Sequence, residues 1–137
     1  MPSRLATVYA EYVWPDYSTR MSPGGRSFAD HILRLAGGLN VYAHAPEPFV
    51  EPRPEQVMAM DPVAVIVSAE KMMRLTREKY LAKTPWMRGL RAVREGRLII
   101  LRGGRGEDLA HPGPSAVETA RRLRQRLRSV LHGADQR

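Results

Sequence analysis

Apolar positions along the 137-residue chain fall into two kinds of pattern. Val63–Ser68, aliphatic up to its closing serine, and Leu98–Leu101 are continuous apolar runs, and Leu5–Val13 is rich in β-branched and aromatic residues. A run such as VAVIV presents the same apolar character on both faces of a strand. It therefore suits a strand covered on both sides, and with it a mostly parallel sheet between helical layers. Between these runs, apolar residues recur at helical spacing. Phe28, Ile32, Leu35 and Ala36 follow Ser27, a natural N-cap with Asp30 near the helix's positive end, and Gly37-Gly38 closes the helix. Pro54 can open a short helix, since the first helical N–H has no intrahelical partner, and Asp61-Pro62 ends it just before the central run.

The same reading predicts a helix over 70–83 with Met73, Leu75, Tyr80 and Leu81 buried, and assigns Met72-Met73 to core filling. A short helical turn follows between Trp86 and Gly96. The last helix begins at Pro114-Ser115, carries Val117, Ala120, Leu123, Leu127, Val130 and Leu131 as its apolar stripe, and ends at His132-Gly133. Asn40–Ala43 reads as a short strand. The prolines of His44–Pro54 forbid helix and central strand alike, leaving an extended surface connection with Phe49 isolated in it, either core plug or ligand contact.

Two loops follow strands and precede helices, the place where ligands gather in open α/β sheets. Residues 12–28 combine Tyr12, Trp14, Tyr17, Arg20 and Arg26, and the helix that starts after Arg26 could help hold an anion. Arg102–Pro114 is glycine-rich but lacks the spacing and the lysine of a phosphate-binding loop.

Composition narrows the function. With no cysteine, thiolate metal sites, disulfides and cysteine nucleophiles are excluded. His31, His44, His111 and His132 are scattered, and no paired-carboxylate, HExxH or GxSxG spacing occurs, so the chain reads as non-enzymatic. No apolar run reaches the roughly 20 residues of a membrane span, and the N-terminus does not read as a signal peptide. Twenty-two Lys+Arg against 14 Asp+Glu give +8, which favours an anionic partner. A basic nucleic-acid module built on the last helix is one alternative, against which stand arginines that surround the helix without interleaved aromatics. A homodimerising interaction domain that buries Phe49 and Trp14 is another.

In order, SFADHILRLAGGLNVYA, the Pro/aromatic connection, EQVMAMDP with its apolar strand, PWMRGLRAVREGRLIIL and HPGPS resemble the C-terminal lobe of periplasmic, class III substrate-binding proteins. These serve ABC importers of iron-siderophores, haem, vitamin B12 and related metal chelates. The resemblance implies a three-layer α/β/α lobe over residues 1–137, a mostly parallel sheet flanked by helices, and an extracytoplasmic setting. It implies ABC permease subunits and a metal-chelate ligand as partners, with no resident cofactor. It also implies that a missing N-terminal lobe, or a second copy, closes over the ligand. Ligand contacts would come from Trp14, Tyr17, Arg20, Arg26, Phe49 and the 103–111 loop with Arg105, the arginines complementing an anionic chelate. Glu55 would meet the permease. Arg53 stands where the family often has a Ser or Thr N-cap.

Overall fold

The computed structural model describes residues 5–17, 20–111 and 113–135. Six strands form one sheet in the order β4 (Phe49–Val50), β2 (Arg20–Pro23), β1 (Ala6–Val13), β5 (Ala64–Ala69), β6 (Leu98–Leu101), and β3 (Gly38–Asn40) also pairs with β1. The long β1 organises the sheet. One of its edges runs parallel to β5 from Val8–Ala64 to Val13–Ala69. Its other edge is shared by β3, parallel at Ala6–Val8, and β2, antiparallel at Tyr12–Val13. β6 runs parallel to β5 on the far side. The sheet is thus mostly parallel, with an antiparallel addition at one corner.

Helices cover both faces. Alternate residues of β1 point to opposite cores, as strand geometry requires. Val8, Ala10 and Tyr12 join Ile32 and Leu33 of α1 (Phe28–Leu35) and Leu123 and Leu127 of α5 (Ala116–Asp135). Tyr9 and Val13 join Val57 of α2 (Pro54–Met60), Tyr80 and Leu81 of α3 (Arg77–Lys83), and Ala92 and Val93 of α4 (Arg91–Arg94). Val65, Ile66 and Val67 of β5 are fully buried, alternating between the two cores. This is the three-layer α/β/α arrangement expected from the apolar runs.

Several elements differ from the sequence reading. The stretch 70–83 is two pieces: a 3₁₀ turn at Lys71–Met73, then α3. Arg74 adopts a left-handed conformation (φ 46°) that interrupts the helix, and the Thr76 hydroxyl starts a new one by accepting from the Lys79 amide. Met72 on that turn is 92% exposed, so only Met73 of the pair packs against the core. The buried face of α1 is Ala29, Ile32 and Leu33 followed by Ala36, leaving Phe28 and Leu35 outside it and half exposed. The loop 12–28 contains β2, and Asn40 ends β3 instead of opening a strand. α5 continues through Gly133 to Asp135, and Val117, at its first turn, is exposed.

Local chemistry accounts for the boundaries. The Ser27 hydroxyl accepts from the Asp30 amide at 3.0 Å and caps α1. Asp61, left-handed at φ 46°, closes α2. The Asn40 side chain ties β3 to the β2–α1 connection by donating to the Pro23 carbonyl at 2.7 Å and to Asp30 Oδ1 at 3.2 Å.

A cleft at the carboxyl ends of the strands

The three parallel strands β1, β5 and β6 end on the same side, and a cleft of about 420 Å³ opens there. β1 and its exit supply Tyr12, Val13 and Trp14, and β4 supplies Phe49. The end of β5 supplies Ser68, Ala69, Glu70 and Lys71. The loop after β6 supplies Gly103, Gly104, Asp108, Ala110 and His111. A site at this end is what the crossover topology provides, because the connecting loops are free to vary while the strands fix them.

The aromatic wall is built around Tyr12. Trp14 and Phe49 both meet its ring edge-on, at centroid distances of 6.2 and 5.8 Å. Tyr12 is 5% exposed, whereas Trp14 and Phe49 are 38% and 52% exposed and present free ring surface at the mouth. Trp14 begins a tight turn, its carbonyl accepting from the Tyr17 amide at 2.9 Å, with Pro15 at the turn's second position. Phe49 reaches the cleft because β4 pairs with β2 at Pro23, so the proline-rich connection is held as an edge strand. Burial, with Asp108 nearby, pushes the Tyr12 phenol up to about 12, keeping it a neutral hydroxyl.

The opposite wall is a fixed loop. Gly103 (φ +86°) lies so close to the end of β5 that a Cβ there would meet the Lys71 amide nitrogen at 2.4 Å, so only glycine fits. The Leu109 amide donates to Ser68 Oγ at 3.1 Å, and Leu109 itself is buried. Asp108 Oδ1 accepts from the amides of Ala110 and His111 at 2.8 and 3.3 Å, while Oδ2 stands 2.9 Å from His111 Nδ1. Ion pairs bind the loop to α5: Arg105 to Glu118 at 2.9 Å and Arg126 to Glu107 at 3.1 Å.

The residues singled out in the sequence divide sharply in position. Trp14, Phe49 and the 103–111 loop converge on the cleft. Arg20 turns inward to a buried network, where it pairs with Glu11 at 3.1 Å, meets the Thr84 hydroxyl and donates to the Lys83 carbonyl at 3.1 Å. Tyr17 packs against the Arg20 guanidinium and the Lys83 ammonium, away from the lining. Arg26 is exposed and also outside the lining, and Arg105, itself largely exposed, pairs with Glu118. Glu55 is exposed in the first turn of α2, and Arg53, extended at its N-cap, makes no side-chain capping bond.

The sequence reading names Tyr12 among the residues of the 12–28 loop and covers Asp108 and His111 only as members of the 103–111 loop, and it gives Glu70 and Lys71 no site role. The position of Glu70 and Lys71 immediately after the central apolar run was the available signal. Among the described residues, no cluster of three or more His, Cys, Asp or Glu side chains could hold a metal ion. No described helix is long and apolar enough to cross a membrane.

No family model matches the chain, and no curated protein matches it. Its fold is nevertheless shared with solved substrate-binding proteins. An ABC transporter substrate-binding protein from Listeria monocytogenes superposes with a TM-score of 0.75 at 17% identity, over 92% of this chain and 48% of that one. A periplasmic haem-binding protein from Pseudomonas aeruginosa gives 0.69 at 24% identity, over 88% and 42%. The periplasmic vitamin B12-binding protein of Vibrio cholerae gives 0.65 at 15%, over 99% and 48%. The chain therefore spans less than half the length of each of these solved proteins.

Proposed function

We propose that this chain is a ligand-holding lobe, equivalent to the C-terminal one, of an ABC importer's substrate-binding protein for haem, cobalamin, an iron-siderophore or a related metal chelate. The observation that carries this reading is the cleft itself: exposed faces of Trp14 and Phe49 beside a rigid glycine-rich wall, at the carboxyl ends of the sheet. Flat aromatic surface set against a few fixed polar groups suits a large planar or ring-shaped chelate, which gains from stacking and from removal of apolar area from water. The role is binding, without chemistry on the ligand. It belongs outside the cytoplasmic membrane, as do the periplasmic proteins of like fold.

A single lobe supplies one wall, whereas ligand sites ordinarily bury most of the ligand's surface. A second lobe or a second copy of the chain would supply the other. Permease subunits would be met at Glu55. Glu55→Ala should leave stability and ligand binding unchanged while weakening permease association, measured by pull-down with the importer in membranes or detergent; lost folding instead would reduce Glu55 to a helix-terminal charge.

Calorimetric titration with hemin, cyanocobalamin and a ferric siderophore tests the ligand claim. Saturable heat with at least one of them, reduced about tenfold in affinity by Trp14→Ala, is expected. Absence of saturable heat with all three would end the reading.

A further inference from the structure

Besides the neutral phenol of Tyr12, four ionisable side chains line the cleft: Glu70 and Lys71 after β5, and Asp108 and His111 on the loop after β6. Two carboxylates, one ammonium and one imidazole thus face the cleft of a chain whose formal charge is +8, so the cleft does not share the basic excess of the rest of the molecule. No arginine is among the lining residues. Of those on the surrounding segments, Arg20 pairs with Glu11, Arg102 donates to the Leu75 carbonyl and the largely exposed Arg105 meets Glu118, while Arg26 and Arg74 are exposed outside the lining. The expected arginine complement to an anionic chelate is therefore not assembled at this wall.

Asp108 is a fixed charge, because two backbone amides and the His111 ring hold its carboxylate in place. Glu70 is exposed and makes no capping bond to the turn it precedes. At physiological salt the screening length is about 8 Å, so a ligand in the cleft feels these two carboxylates more than the arginines on the outer faces of α5.

Resting on the reading above and narrowing it, we propose that this wall selects metal chelates without net negative charge. Such a ligand stacks on Trp14 and Phe49 and offers amide or cationic donors to Glu70 and Asp108, which are the specificity-determining residues. Polyanionic chelates stack equally well but are repelled.

The test is a titration of the whole chain with cyanocobalamin, hemin and a polyanionic ferric tris-catecholate, at low and high salt. Each probe is also titrated into Glu70→Gln and Asp108→Asn, with circular dichroism verifying the fold. The wild type should hold cyanocobalamin the tightest, with the ratio to the anionic probes shrinking as salt rises. Each substitution should narrow that ratio by about tenfold, mainly by strengthening the anionic probes. Glu70, whose exposed side chain makes no capping bond, keeps the test free of folding effects. Tightest binding of an anionic probe by the wild type, or ratios unmoved by both substitutions, would overturn this selectivity while leaving the substrate-binding reading intact. Failure of all three probes to bind would overturn that reading, and the selectivity with it.

Discussion

The Glu11 carboxylate, 1% exposed in the middle of β1, is answered by three donors. Tyr9 donates at 2.7 Å, Tyr80 at 2.6 Å and Arg20 at 3.1 Å. Arg20 also binds the end of α3 and the following turn, so one side chain links the strand after the Trp14 loop to the helix layer beneath it. Arg20→Met leaves a buried carboxylate without its counter-charge. It should cost about 3 kcal/mol in urea unfolding, and a second change, Glu11→Gln, should recover much of that loss. A single-variant loss within experimental error of zero would show that the pair is not structural.

The two phenols follow the same logic. Burial, then the Glu11 charge, pushes Tyr9 and Tyr80 well above their ordinary value of 10.0, and burial raises Tyr12 to about 12. Above pH 10 the unfolded chain releases protons that these folded phenols retain. Their stabilising contribution is therefore complete below that pH and declines as pH rises, Tyr12's share being gone by about 12. Denaturant midpoints should hold up to about pH 9 and fall beyond about pH 10, with tyrosinate absorbance appearing together with unfolding. Full tyrosine ionisation near pH 10 in a chain that stays folded would contradict this. None of it was legible in the sequence: a Glu in an apolar strand does not announce its partners, and Tyr80 and Arg20 lie 69 and 9 positions away.

Among the elements, the cleft wall after β6 is specified by backbone geometry. Gly103 and Gly37 both have positive φ, but a Cβ at Gly103 would collide with the Lys71 backbone, while nothing lies within 4 Å of one at Gly37. Gly37→Ala should cost about 1 kcal/mol, and Gly103→Ala clearly more, with displacement of the loop and loss of ligand affinity. Equal cost at both sites would mean that the loop is free to move. The sequence made this element readable as a glycine-rich segment after a strand. The strands were readable too, since continuous runs such as VAVIV have few other uses. What stayed hidden was short or contextual. β2 is only RMSP, an edge piece with a proline at its end. The break at Arg74 needs a left-handed residue that its type does not signal. The pairing of Arg105 with Glu118 was hidden because Glu118 comes from another element.

For the molecule as a whole, two helical layers and a mostly parallel sheet leave one end of the strands open, and the aromatic faces there are exposed. The basic α5 face, with Arg121, Arg122, Arg124 and Arg128 exposed, lies on a different element from the cleft lining. The two surfaces therefore make separable claims about what the chain binds. Backbone amide chemical-shift mapping during titration with cyanocobalamin or hemin decides between them. Binding in the cleft gives saturable shifts concentrated at Trp14, Phe49, Lys71, Gly103 and Gly104, with the amides of α5 unmoved. Shifts that concentrate on the α5 arginines, or that fail to saturate at the cleft, would contradict it.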